Sequence, residues 1–337
     1  MRIRAYFILL TAAVLVSSCG ADLLKNETVL VTPVADTILF NSFESGSFQV
    51  YSKTAGGFNR LISDDNYDYW WLRISPNGKK FLCYRSTNDN FFKENDYTNA
   101  ELWMFNIDGS GGKLLIAKGA NNWRSQGYAT WHPNGKNIIM GAEVKDATDN
   151  NNFRWHLFAT DTLGGIPKKL TSRIGLFSNP EVGPNGTQII YSAFPFGEQS
   201  GSVFNQELFV ATLDTVNWLV ENEIRLTTDD YWDREPALSP TGNSVVFSSA
   251  TTQTNLFENV NLRKITFGAD TVLTTIIGGT PSYDSPEWAE DGTYLYIQYR
   301  LSQQTPFSIA RINVDGSGFQ EIIRNQTADL INPRLLK

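Results

Sequence analysis

The sequence predicts an all-β fold, a six-bladed β-propeller of four-stranded blades whose ring is closed by the C-terminal strand pairing with the N-terminal strands. Three observations predict it. One short turn motif recurs five times at a spacing near 50 residues, each copy opens an apolar strand, and the two ends of the chain hold complementary fragments of one further blade.

The five copies are Ile74-Ser75-Pro76-Asn77-Gly78, Trp131-His132-Pro133-Asn134-Gly135, Val182-Gly183-Pro184-Asn185-Gly186, Leu238-Ser239-Pro240-Thr241-Gly242 and Trp288-Ala289-Glu290-Asp291-Gly292, with their glycines 57, 51, 56 and 50 residues apart. Asn-Gly and Asp-Gly favour a hairpin turn with positive φ. An apolar second strand follows each turn: Phe81 to Arg85, Ile138 to Gly141, Ile189 to Ser192, Val245 to Ser248 and Tyr294 to Tyr299. Third strands follow at Leu102 to Ile107, His156 to Thr160, Glu207 to Leu213, Asn261 to Phe267 and Ser308 to Val314. Glycine turns such as Asp108-Gly109-Ser110-Gly111 and Asp315-Gly316-Ser317-Gly318 then lead to fourth strands, among them Lys113 to Ala117 and Gln320 to Arg324. Near the N-terminus, Ile38 to Phe43, Gln49 to Lys53 and Asn59 to Ile62 match the second, third and fourth strands of a blade, while Asn332-Pro333-Arg334-Leu335 matches the missing first. Sharing a blade between the two ends removes the open radial edge.

Residues 1–18 read as a signal peptide. Arg2 and Arg4 precede the apolar run Ala5 to Val16, which is shorter than the ~20 residues a spanning helix needs. The run ends in Val16-Ser17-Ser18-Cys19, which looks like a bacterial lipobox, and implies cleavage before Cys19 and lipid attached to it. Gly20 after the cysteine, rather than aspartate, favours the outer membrane. Residues 19–36 lack periodicity and read as a tether, leaving 37–337 for the propeller.

The run Ser-Pro-x-Gly, the hydrophobic strand behind it, the Asp-Gly turn and a close such as Arg225-Leu226-Thr227 resemble the WD40-like repeats of the TolB-type six-bladed propeller over residues 37 to 337. The resemblance implies the fold, and much less about activity, because one fold hosts many. TolB proteins are soluble in the periplasm and carry an α/β domain before the propeller, whereas here only a tether is expected between Cys19 and the first blade.

Composition narrows the function. The chain has 337 residues, 28 Lys and Arg against 35 Asp and Glu, and a formal charge of −7 with no basic stripe, which argues against nucleic acid. Two histidines and two cysteines leave little for a transition-metal site. No cofactor or metal is expected. Cys83 lies in the apolar run Phe81-Leu82-Cys83-Tyr84 and reads as a buried inert thiol. His132, inside a turn motif, and His156, on a third strand, read as structural.

Binding residues are expected on the face that carries the long loops at Asn88 to Asn99, Lys145 to Arg154, Pro195 to Asn205 and Thr251 to Asn259, because loops on a rigid scaffold carry function. Aligning the blades on their turn glycines places Trp71, Tyr128, Asn179, Glu235, Ser285 and Asn332 in one column at that mouth. The positions just before them add Trp70, Arg234 and Asp284, then Asp233 and Tyr283. Trp70, Trp71, Tyr128, Asp233, Arg234, Glu235, Tyr283 and Asp284 form the candidate partner-binding set, where aromatic faces supply contact area and polar groups fix orientation. Two residues past the column, Arg73, Thr130, Glu181, Ala237, Glu287 and Arg334 are expected to line a wet pore with some ion pairing.

The function expected is that of a monomeric, lipid-anchored cell-envelope scaffold holding an envelope protein or a cell-wall glycan. The alternative is a polysaccharide-acting propeller enzyme, a lyase or glycosidase. Asp233, Glu235 and Asp284 would then supply the two carboxylates that glycoside hydrolysis needs. The metal-dependent oligogalacturonate lyases use a histidine cluster in the pore, and neither His132 nor His156 is placed for one.

Overall fold

The computed structural model describes residues 30–31, 34–87, 96–195, 206–251, 258–269 and 271–336. Cys19, the signal peptide and most of the tether lie outside the described residues, as do the greater parts of three of the long loops.

Six antiparallel sheets form the ring. Blades I to V each run from an inner strand outward: Tyr67–Ile74, Ser125–Trp131, Ser178–Val182, Trp232–Leu238 and Ser282–Trp288 are the five inner strands. Blade IV gains an outer strand, Val272–Ile277, that was not among the expected fourth strands. Blade VI orders Leu330–Leu335, Ile38–Ser42, Gln49–Thr54 and Gly57–Arg60, so both ends of the chain meet in one sheet. The clasp pairs Ile38 with Leu335, Leu39 with Arg334, Asn41 with Ile331 and Ser42 with Leu330. Its first strand begins at Leu330, three residues ahead of the expected Pro333. One departure lies in the tether: Leu30–Val31 adds a fifth strand to blade V, pairing with Arg324 and Ile323.

The turn motifs behave as their composition dictates. Gly78, Gly135, Gly186, Gly242 and Gly292 all take positive φ, between 66° and 75°, and each amide donates to the carbonyl three residues back at 2.8–3.0 Å. The apolar strands stack face to face between blades, where burying each large side chain stabilises by roughly 1.5–3 kcal/mol. Trp70, Tyr84, Leu102, Ile138 and Met140 fill the space around blades I and II, and Ile38, Phe40, Tyr296, Ile309 and Leu330 that around blades V and VI. Tryptophans tie neighbours together: Trp131 Nε1 donates to the Arg73 carbonyl at 3.0 Å and Trp288 Nε1 to that of Ala237 at 2.8 Å.

Both histidines are structural. His132 Nε2 bonds the Gly186 carbonyl at 2.9 Å, linking one turn to the next. His156 is fully buried between Asp146 Oδ2, at 2.6 Å, and Thr171 Oγ1, at 3.0 Å. Cys83 is fully buried, and burial pushes its thiol well above the usual range.

Candidate functional site

Every inner strand breaks its ladder once. The pairing slips between Trp70 and Arg73, Ser178 and Glu181, Arg234 and Ala237, and Asp284 and Glu287. In blades II and VI it slips opposite Ile139–Gly141 and Leu39–Asn41. At each bulge one residue is left-handed: Trp71, Tyr128, Asn179, Glu235, Ser285 and Asn332, with φ between 49° and 61°. These are the six residues of the aligned column. Left-handed backbone costs roughly 1–2 kcal/mol for an ordinary residue, and a bulge re-aims its side chain. A ring of six such residues around the axis divides the central opening in two.

On one side lies a cavity of about 670 Å³, the mouth, lined by five of the six bulge residues, Ser285 excepted. On the other side a channel of about 480 Å³ is lined by Arg73, Thr130, Glu181, Ala237, Glu287 and Arg334, all six of the expected pore positions. Glu235 borders both.

The mouth has unlike walls. Blades I and II supply an aromatic wall, in which Tyr128 meets Trp71 at 5.3 Å, Tyr97 at 5.0 Å and Trp155 at 5.5 Å between ring centres. Tyr97 can lie there because blade II has Gly127 at that point: a Cβ on Gly127 would sit 2.5 Å from the Tyr97 ring. Opposite, blades V and VI supply Gln298, Arg300, the segment from Gln303 to Phe307, Thr327, Asp329 and Asn332. Trp232 and Arg234 close the side at blade IV.

Several of the described charges of the mouth have partners within the protein, whereas Glu235 Oε2 is buried without a hydrogen-bond partner. Arg234 Nη2 binds Asp284 Oδ2 at 2.6 Å, with both side chains buried. Asp284 Oδ1 also accepts the Ser285 amide at 2.9 Å. Asp329 accepts the Phe307 amide at 2.8 Å, and the Arg300 guanidinium stands 4.6 Å over the Phe307 ring. Burial and then the neighbouring Asp284 raise the Glu235 carboxyl above the usual range, which favours its neutral form.

Of the eight candidate residues, Trp71, Tyr128, Arg234, Glu235 and Asp284 line the mouth together. The structure places Trp70, Asp233 and Tyr283 elsewhere. Trp70 stacks on Tyr84 at 4.8 Å inside the core and donates Nε1 to Ser86 Oγ at 3.1 Å. Tyr283 packs in the core beside Phe319, 6.2 Å between centres. Asp233 is fully buried, accepts Ser249 Oγ at 2.6 Å and, with Glu207 and Asp229, forms a carboxylate group outside the mouth. Arg225 binds Glu207 at 2.8 Å and Arg263 binds Asp229 at 2.6 Å, compensating that group. Burial pushes the Asp233 carboxyl up to about 7.

The channel is differently wired. Arg334 Nε holds the Leu72 carbonyl at 3.0 Å while Nη1 lies 3.8 Å from Glu287. Arg73 bonds the Leu72 carbonyl at 2.9 Å and stands 4.2 Å over the Trp71 ring. Thr130 Oγ1 donates to Glu181 at 3.2 Å. Burial and nearby Arg334 weaken the Arg73 charge, and burial raises the Glu181 carboxyl.

Sequence reasoning placed Tyr97 on this face only as part of the Asn88 to Asn99 loop, and missed Gln298 and the Gln303 to Phe307 segment. The last follows the second strand of blade V, as the long loops do in other blades, and its Gln303-Gln304-Thr305-Pro306 composition is the signal that could have drawn attention to it.

No family model matches the chain, and no curated protein matches it. Solved structures do. TolB from Acinetobacter baumannii is similar with a TM-score of 0.66 at 13% identity, over 90% of this chain and 67% of that one. A putative TolB from Agrobacterium tumefaciens gives 0.57 at 13% identity, over 90% of this chain and 98% of that one. An oligogalacturonate lyase in complex with manganese gives 0.56 at 10% identity, over 87% of this chain and 75% of that one. At these identities the likeness concerns the fold: the chain is a six-bladed propeller of the TolB type in its architecture.

Proposed function

We propose that the protein is a lipid-anchored binding protein of a bacterial cell envelope, attached at the outer membrane through Cys19, which holds its partner at the propeller mouth without catalysis. One observation carries the reading: the mouth is a preformed cavity of about 670 Å³ in which Arg234 and Asp284 are already closed on each other, so it offers chiefly shape, aromatic area and hydrogen bonds. Asp284 is committed to Arg234, which removes one of the two carboxylates that the glycosidase reading requires. Among the described residues, neither histidine nor cysteine lines the mouth. The similarity to TolB propellers and the lipobox at Cys19 support an envelope location.

The test is membrane fractionation together with affinity capture from envelope extract. Cys19→Ser is expected in the soluble fraction. Capture is expected to be lost on Tyr128→Asn and kept on Lys79→Ala, at a turn on the far face. Unchanged membrane partitioning of Cys19→Ser refutes the anchor. New reducing ends or unsaturated sugars from polysaccharide, abolished by Glu235→Gln, refute the binding assignment in favour of the enzyme.

A further inference from the structure

We infer that the mouth receives the end of a neutral, hydroxyl-rich glycan chain, held by Asn179 and the amides of the blade V and VI wall and stacked against the Tyr97 and Tyr128 wall. The inference deepens the binding reading above and rests on it.

Asn179 carries the argument. It sits at a bulge with φ 50° and is only 6% exposed, its residual surface facing the cavity. Among the described residues its amide has no hydrogen-bond partner. The amide keeps a small opening to the cavity, so it is available to whatever enters there. A ligand group that donates and accepts at once would satisfy both ends of the amide.

The rest of the wall has the same chemistry. Gln298 spends its carbonyl on the Asn332 amide at 2.8 Å, which leaves its NH₂ to donate. The carbonyl of Asn332 takes Ser285 Oγ at 3.4 Å, which leaves its NH₂ likewise. Gln303 and Gln304 border the same cavity and are exposed. Amides match hydroxyls, because each partner both donates and accepts. The aromatic wall across the cavity supplies flat apolar area for the C–H face of a sugar ring.

Charge decides between a glycan and a peptide. A chain end that enters the mouth meets the ring of bulge residues and Glu235, which borders the channel as well. A peptide end carries an ammonium or a carboxylate. Among the described residues lining the mouth the charges nearly cancel: Arg234 is closed on Asp284, Arg300 and Asp329 are opposite in sign, and burial biases Glu235 toward its neutral form, so a charged end meets no net complement there. Burying an uncompensated charge is costly. The end of a neutral glycan has no charge to compensate, whereas a uronate would meet the same penalty as a peptide carboxylate.

The experiment is calorimetric titration of the full chain in detergent with three ligand sets. These are neutral oligosaccharides (β-linked glucose, xylose, mannose and N-acetylglucosamine oligomers), oligogalacturonates, and short peptides with free or blocked ends. At least one neutral series should bind, and both Asn179→Gly and Asn179→Asp should weaken it about tenfold or more, a loss of about 1.4 kcal/mol. Both substitutions tolerate left-handed backbone; melting is measured beside binding for each, and Asn179→Gly, which buries no charge, separates lost binding from lost fold. Preference for uronates or peptides overturns the inference, as does neutral binding indifferent to Asn179. The absence of binding by every neutral series at millimolar concentration does so too. In any of these cases, capture of an envelope partner that depends on Tyr128 would leave the binding assignment standing.

Discussion

The mouth and the channel are built from the same six strands, two residues apart, yet they handle charge in opposite ways. In the mouth, Arg234 and Asp284 close to 2.6 Å with both side chains buried. In the channel, Arg334 and Glu287 stop at 3.8 Å, and Arg73 turns to a carbonyl and the Trp71 ring instead of a carboxylate. A closed pair leaves its surroundings electrically quiet, so the amides and rings of the mouth set what it recognises. Open pairs keep their charge directed into the channel, which therefore demands solvent or ions. The ring of left-handed residues makes this separation possible, since five of the six bulges turn a side chain to the mouth before the strand resumes and aims the next pore residue at the channel.

The severest way to break the comparison is to remove the last six residues, which takes Asn332 from the mouth, Arg334 from the channel and the clasp from blade VI together. Calorimetry should then show no cooperative unfolding transition. A truncated chain that melts like the intact one would refute closure.

Next in size is Trp70→Ala, expected to cost about 3–5 kcal/mol in urea unfolding because it empties a core site. Tyr128→Asn, at the left-handed position that asparagine tolerates, should cost far less while abolishing capture. Equal losses would mean that core and mouth are not separate.

Asp233→Asn tests whether that residue belongs to the blade interface. The folded state raises the Asp233 carboxyl from 3.8 to about 7 and so holds a proton that the unfolded chain releases. Its contribution is therefore present at low pH and is lost as pH climbs from about 4 through 7. Asn does not titrate, so the variant should melt on a par with the parent near pH 4 and gain about 4 kcal/mol over it at pH 8. Ligand capture should not change. A gain that fails to grow with pH would refute the assignment.

The smallest effects sharpen the contrast itself. A double-mutant cycle on Arg234 and Asp284 should give a coupling of about 1–3 kcal/mol, against less than about 0.5 kcal/mol for Arg334 and Glu287. Equal couplings would erase the distinction drawn between the two sides.

The fold was legible because its signals are local. The proline and glycine turns fix each blade's first hairpin, and the partial blades at the two ends of the chain announce the clasp. The mouth was legible as a column, since alignment on the turn glycines gathers the six bulge residues. The bulge itself was not. Tryptophan, tyrosine and glutamate rarely take positive φ, so nothing in the sequence warns that Trp71, itself buried, turns an edge to the mouth while Trp70 beside it does not. The simple alternation of a strand fails at that step, and the same misreading placed Asp233 and Tyr283 at the mouth. Tyr97 was not singled out within its loop for another reason: its place is secured by the missing side chain of Gly127 on the next blade.

The short strand Leu30–Val31 has a mechanical meaning. It joins the outer edge of blade V by two residue pairs, whereas the neighbouring blade is clasped by four. Tension arriving from the N-terminal side therefore falls first on the weaker seam, which can peel and lengthen the leash by several residues before load reaches the clasp. If the proposed anchor at Cys19 holds the chain, a tug would open this edge seam and leave the ring intact.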